Sequence, residues 1–216
     1  MRNSVAATCC ACSIRLVVIA GLVAPIVARS ADSATGDCAI RAGVFRERLE
    51  SVTEAAIDGR AAAVTAAADR AQLWWRVHAK SLGDHANVDS SLSRLVSVAR
   101  GHQASAAAHL AVGLSTASLS WCAGTLSTAD QLMVLDLAGM AAWVRAKGIA
   151  TDEPANSRAV SESVAAALLH AHRTALAARL RTAYSSVQPR ADGKIADLAA
   201  AIRLLGLVDD IEKVLR

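Results

Sequence analysis

Apolar residues recur with the spacing of an α-helix along most of this chain. The first stripe lies on one face of a helix with 3.6 residues per turn and comprises Ile40, Val44, Phe45, Leu49, Val52 and Ile57. A second stripe with the same period follows over residues 64–82. Together they predict a long helix over residues 38–82, with Asp37 as its N-cap and a break or bend at Asp58–Gly59.

Capping residues delimit the next two helices. The second is predicted over residues 87–121, ahead of a glycine-containing segment. The third is predicted over residues 128–147, because Ser127 is a suitable N-cap and Asp130 stands at the capping-box position. Gly148 then ends this helix, which is the best delimited element of the sequence.

Prolines mark both ends of a predicted fourth helix over residues 154–187. Pro154 fits its first turn, and Pro189 prevents its continuation. Asp192 then precedes a last amphipathic helix with apolar residues at helical spacing over 195–215. Because short connections make sequential helices antiparallel neighbours, we predict an up-and-down bundle of about five helices.

The second predicted helix has an unusual composition. No Asp, Glu, Lys or Arg occurs between Arg100 and Asp130, and small residues such as Gly101 and Gly113 are frequent there. A helix without a charged face is normally surrounded by other helices, and small side chains allow close approach. We therefore expect a central, uncharged helix near residues 88–121.

Composition supports an all-α fold with a single domain. The chain has 216 residues, of which 54% are hydrophobic and 19% charged, with only one Phe and one Tyr. Alanine, leucine and arginine favour helix, whereas β-branched and aromatic residues that favour strands are sparse. Residues 31–216 are long enough for one Ala-rich helical-bundle domain. The Ser, Thr and His content of the uncharged segment excludes a transmembrane helix in the mature chain.

The first 30 residues have the layout of a secretory signal peptide. Arg2 and Arg15 precede an uncharged run over residues 16–27, which is followed by small residues that favour cleavage after Ser30. A run of this length is short for a membrane-spanning helix, although an uncleaved N-terminal anchor is the alternative. We therefore predict a signal peptide over residues 1–30 and a periplasmic or secreted protein.

The basic charge of the chain belongs largely to this segment. The whole sequence has a formal net charge of +4, and removing Arg2, Arg15 and Arg29 leaves +1 for residues 31–216. A nucleic-acid-binding protein needs a basic patch with aromatic or polar readers. We therefore expect no nucleic-acid partner.

Two cysteines remain after the predicted cleavage. Cys38 and Cys122 form an even pair, and in an oxidising compartment such a pair predicts a disulfide bond. A redox or metal-binding thiol is the functional alternative, but no C-x-x-C spacing supports it. Two unpaired thiols are the other alternative.

Four histidines occupy positions where apolar residues are expected. His102 and His109 lie on one row of the uncharged segment, and His78 and His172 lie on stripes of their own. Helical bundles hold haem or metal ions with ligands of this kind from facing helices. The alternative is that all four are neutral core residues. His85 and His170 fall on loop or polar positions, and no role is predicted for them.

Acidic residues line one side of the first predicted helix. Glu47, Glu50 and Glu54 recur there, and clustered carboxylates are the ligands that hard cations prefer. Arg46 and Arg48 are interspersed among them, so a solvated and partly paired face is the preferred interpretation.

The four tryptophans are candidates for a pocket wall or a partner contact. They are Trp74, Trp75, Trp121 and Trp143. Aromatic side chains often wall ligand sites, but in a chain with few aromatic residues they also serve as large core residues.

No catalytic residue is predicted. The sequence has no G-x-S-x-G turn, no thiol beside a predictable base and no glycine-rich loop after a strand. We therefore predict an exported, non-catalytic helical bundle that binds a partner protein or a small apolar ligand, or acts as a scaffold, with no cofactor expected. The alternative is a periplasmic bundle that binds haem or a divalent metal.

Overall fold

The computed structural model describes residues 20–83, 85, 87–122, 126–189 and 197–215, and for residues 20–35 it describes only the backbone. The signal-peptide prediction therefore falls largely outside the described residues, as does the predicted cap at Asp192. The chain divides into two compact units between Asp37 and Cys38, and the bundle described below belongs to the second, Cys38–Arg216.

All regular structure in the described part of the chain is helical, which confirms the all-α class. The prediction of about five helices is wrong, because the described residues form eight. They are α1 (Ala20–Ile57), α2 (Ala61–Leu82), α3 (Val88–Arg100), α4 (Ala104–Ser118), α5 (Thr128–Ala146), α6 (Ser157–His170), α7 (Thr174–Val187) and α8 (Leu198–Leu215). None of these helices combines the length and the apolar character needed to cross a bilayer.

Several boundaries agree with the predicted turn and capping residues. The first predicted helix breaks after Ile57, at Asp58 and Gly59. Helix α5 begins as predicted, with the Ser127 hydroxyl accepting from the Asp130 backbone N–H and the Asp130 carboxylate accepting from the Ser127 backbone. Asp37, in contrast, lies inside α1 and caps no helix.

Two predicted helices are each split by a histidine in the left-handed backbone region. His102, at φ 56°, separates α3 from α4, and His172, at φ 57°, separates α6 from α7. At each break the residue after the histidine donates its N–H to the carbonyl five residues earlier, from Gln103 to Val98 and from Arg173 to Leu168. This geometry closes the end of a helix and is usually found with glycine. The predicted continuous helices over 87–121 and 154–187 are therefore wrong.

The central helix is α5 rather than the uncharged segment near 88–121. Every residue from Leu137 to Val144 is buried, and α5 contacts α4, α6, α7 and α8. Gly139 allows α8 close approach, since an added Cβ would lie 2.8 Å from the Leu205 side chain. In α4, Gly113 and Ala117 are exposed, so the absence of charge there reflects an open surface rather than a surrounded helix.

Candidate ligand-binding cleft

Five rings in successive contact form an aromatic column at one end of the bundle. Phe45 of α1 lies between Trp74 of α2 and Trp121, with ring centroids 5.7 Å and 5.5 Å away. An imidazole contacts each end of this column: His78 is tilted against Trp74 at 4.5 Å, and His85 stacks on Trp121 at 4.2 Å. The planes of His85 and Trp121 are 11° apart, so the two rings are almost parallel.

The other two tryptophans differ in their surroundings. Trp75 flanks the aromatic column, 5.2 Å from Phe45, and its indole N–H donates to Asp89 of α3 at 3.0 Å. Trp143 lies elsewhere, buried in α5 with the Lys147 ammonium 5.3 Å from its ring. The structure therefore brings three of the four predicted tryptophans together.

The predicted cysteine pair anchors the aromatic column. Cys38 of α1 and Cys122 are disulfide-bonded in the structure, with Cα atoms 5.8 Å apart. Cys122 follows Trp121 directly in the sequence. The bond therefore ties the segment that carries Trp121 to α1.

An ion pair of the buried Arg46 also holds this part of the chain. Arg46 of α1 donates to the Ser118 carbonyl at the end of α4 at 3.4 Å and pairs with Asp130 at the start of α5. Burial lowers the pKa of Arg46, and the carboxylate of Asp130 opposes this effect. The predicted solvated position of Arg46 is therefore wrong. Arg46 therefore contacts residues on both sides of the connection between α4 and α5, and the disulfide holds Cys122 within it.

Between α3 and α4 the surface opens into a cleft of about 600 Å³. Six of its lining residues are apolar or small, and they come from the start of α3, the length of α4 and the segment after it: Val88, Leu110, Gly113, Leu114, Ala117 and Trp121. An added Cβ on Gly113 would meet nothing within 4 Å, so this glycine opens directly onto free space.

The polar lining of the cleft consists of imidazoles, hydroxyls and an amide. These residues are His85, Asn87, Ser91, His109 and Ser120. Nε2 of His85 lies 2.8 Å from the Leu82 carbonyl, and Nδ1 of His109 lies 2.9 Å from the Thr151 hydroxyl. Among the described residues, those that line the cleft include no Asp, Glu, Lys or Arg.

The chain matches no known protein family, no curated protein and no solved structure. The cleft is therefore interpreted from its own geometry. A volume of this size, with both apolar and polar groups in its walls, lies within the range of small-molecule sites.

The four histidines predicted as haem or metal ligands lie apart from one another in the bundle. His78 caps the aromatic column and His109 lines the cleft, whereas His102 and His172 lie in exposed turns between helices. In the part of the chain that the structure describes, no three His, Cys, Asp or Glu side chains are arranged to hold an ion.

Sequence reasoning missed His85, which both lines the cleft and covers Trp121. The residue lies in the connection between α2 and α3, where no helical periodicity reports burial. Gly83 and Asn87 on either side are residue types that favour turns, and both have positive φ angles, of 99° and 72°.

Carboxylates from three helices approach one another on a different face of the bundle. Burial, together with the charges of the surrounding acids, raises the pKa of Glu50 on α1 to about 7. The same two causes raise the pKa of Asp136 on α5 well above its ordinary value. The other contributors to both shifts include Glu54 on α1 and the α8 residues Asp209 and Glu212. We call these five residues the carboxylate cluster.

Proposed function

We propose that this protein is an exported, non-catalytic helical bundle that binds a small, largely apolar ligand in the cleft between α3 and α4. The observation that carries the proposal is the cleft itself, whose volume of about 600 Å³ lies within the range of small-molecule sites. Its apolar wall supplies the binding free energy, and its few polar groups orient the ligand.

The hydrogen bonds of the polar lining support binding rather than proton transfer. His109 is engaged by Thr151, His85 by the Leu82 carbonyl, and the Ser120 hydroxyl donates to the Ala117 carbonyl at 2.9 Å. A nucleophile needs a base within hydrogen-bond reach, and among the described residues no hydroxyl that lines the cleft is hydrogen-bonded to either imidazole. The contact between His109 and Thr151 also links α4 to the segment that follows α5.

The proposed compartment is the periplasm or the extracellular medium. Support comes from the signal-like residues 1–30 and from the Cys38–Cys122 pair, since disulfide bonds persist in oxidising compartments. The disulfide lies beside Trp121, so export and the integrity of the cleft are linked in this proposal.

A matched pair of glycine variants tests the cleft. Gly113 on α4 and Gly206 on α8 are both exposed helical glycines, and an added Cβ on either would meet nothing within 4 Å. Gly113→Leu places a side chain in the cleft, whereas Gly206→Leu places the same side chain away from it. Both changes are expected to stabilise the helix by up to about 1 kcal/mol, because glycine is a poor helix former.

The readout is fluorescence titration with N-phenyl-1-naphthylamine, a neutral apolar dye. We expect Gly113→Leu to weaken dye binding at least about tenfold, equivalent to about 1.4 kcal/mol, and Gly206→Leu to leave it within about twofold. Equal affinities in the two variants, or no dye binding to the native protein, would show that the cleft is not a binding site.

A further inference from the structure

A backbone contact determines which nitrogen of the His85 ring carries the proton. Its Nε2 lies 2.8 Å from the Leu82 carbonyl oxygen. A carbonyl can only accept, so Nε2 carries the proton and donates. In the neutral ring the remaining nitrogen, Nδ1, is then a lone-pair acceptor, and no described residue engages it. His85, which lines the cleft beside Trp121, therefore has an acceptor that no described residue uses.

Two linked hydrogen bonds determine which nitrogen of the His109 ring carries the proton. The Thr151 hydroxyl donates to the Ile149 carbonyl at 3.3 Å and lies 2.9 Å from Nδ1 of His109. A hydroxyl has one hydrogen, so both contacts are hydrogen bonds only if Nδ1 donates to the Thr151 oxygen. Nε2 of the neutral ring is then the acceptor, and no described residue engages it.

The other polar residues of the lining can accept hydrogen bonds from a ligand, and two of them can also donate. Ser120 already donates to the Ala117 carbonyl, so its oxygen is also available as an acceptor. Asn87 and Ser91 can donate or accept, because an amide and a hydroxyl have both capacities. A ligand with acceptors at both ends would leave two imidazole lone pairs desolvated and unpaired, which is costly.

The two imidazoles lie at opposite ends of the cleft. His109 is the first residue of α4 that lines the cleft, and His85 stacks on Trp121, beyond Ser118 at the end of this helix. The distance from His109 to Ser118 along the axis is about 14 Å at 1.5 Å per residue. The lining between them is Leu110, Gly113, Leu114 and Ala117, which are apolar or small.

We infer that the cleft binds an elongated, uncharged molecule that is apolar in its middle and donates a hydrogen bond at each end, such as a diphenol. The inference rests on the proposed binding function and names its ligand class. The two acceptors select donor groups, the length of α4 that lines the cleft sets the length of the ligand, and the absence of charged side chains from the described lining favours a neutral molecule.

Three biphenyls that differ only in their ends test this ligand class. They are 4,4′-dihydroxybiphenyl with two donors, 4-hydroxybiphenyl with one, and 4,4′-dimethoxybiphenyl with acceptors only. Each is titrated against the N-phenyl-1-naphthylamine complex of the full-length mature protein. We expect each donor to strengthen binding about tenfold, so that the dihydroxy compound binds about 100-fold more tightly than the dimethoxy compound.

Two histidine variants assign the effect to the imidazoles. His109→Phe and His85→Phe keep a ring at each position and remove the acceptor, and circular dichroism reports whether each variant is folded. In either variant the dihydroxy compound is expected to lose its advantage over the monohydroxy compound, a ratio that does not depend on how the affinity for the dye changes. If one variant does not fold, the other gives the same comparison.

The outcomes separate this inference from the proposed function. Equal affinities for the dihydroxy and dimethoxy compounds would overturn the ligand class, while a cleft that still binds the dye would leave the proposed function in place. Selectivity that persists in both histidine variants would overturn the role of the imidazoles. If neither the dye nor any biphenyl binds, both proposals fall.

Discussion

Replacing Cys38 and Cys122 together by serine is expected to lower the free energy of unfolding by about 4.5 kcal/mol. The two cysteines are 84 residues apart in sequence, so the bond closes a long loop. Removing it gives the unfolded chain a large additional conformational entropy, whereas the folded chain keeps its packing. This loss is comparable to the whole stability of many domains.

The measurement is urea unfolding followed by circular dichroism, with and without a thiol reductant. The reductant should lower the stability of the native protein to that of the double-serine variant and should leave the variant itself unchanged. A difference of less than about 1 kcal/mol between the two proteins, or two free thiols in the protein purified from its compartment, would contradict the disulfide.

Stability is expected to fall as the pH rises from 5 to 8, because of the carboxylate cluster. The pKa of Glu50 is about 7 in the folded protein, against an ordinary value of 4.5. A carboxyl with a raised folded pKa binds its proton more tightly in the folded state than in the unfolded state. The resulting stabilisation is fully present below pH 4.5 and is lost as the pH rises through 7.

The carboxylate cluster explains the size and direction of this effect. Burial is the largest cause for both Glu50 and Asp136, and all the charged groups that shift their pKa values are carboxylates of α1, α5 and α8. One pKa unit corresponds to about 1.4 kcal/mol. Because Glu50 keeps some contact with water, we expect about 2 kcal/mol rather than the full value for the shift.

Glu50→Gln tests this prediction, with the same substitution at an exposed glutamate as the control. The variant should be about 2 kcal/mol more stable than the native protein at pH 8 and about equally stable at pH 4.5. Glu162→Gln serves as control, because Glu162 is exposed and pairs with Arg181 across the surface. The control should change stability by less than about 1 kcal/mol at either pH. If Glu50→Gln and Glu162→Gln have the same pH profile, the carboxylate cluster does not control stability.

The sequence predicted those helix ends that rest on a recognisable residue pattern. Ser127 and Asp130 form the expected capping box, and the break at Asp58 and Gly59 lies where a glycine allows a left-handed backbone. His102 and His172 occupy the same backbone region, but a histidine, unlike a glycine, does not by itself indicate a left-handed backbone. Two breaks were missed for this reason, and the helix count was too low.

The cleft was predictable only in part. Trp121 and His109 were recognised as candidates, because an aromatic residue and a histidine on an apolar row both stand out in a sequence. The role of His85 depends on a turn that places it over Trp121, and the burial of Arg46 depends on Asp130 and Ser118, which are more than 70 residues away. Contacts between such distant residues leave no periodic signal along the chain.

The most direct test of the central claim is a nuclear magnetic resonance titration of the isotope-labelled protein with N-phenyl-1-naphthylamine. Binding in the cleft predicts that the largest backbone shift changes fall on Leu110, Gly113 and Ala117, together with the indole N–H of Trp121. The alternative surface is formed by exposed apolar side chains of α1 and α2, namely Ile40, Leu73 and Val77. Shift changes confined to these residues would contradict the assignment of the cleft as the ligand-binding site.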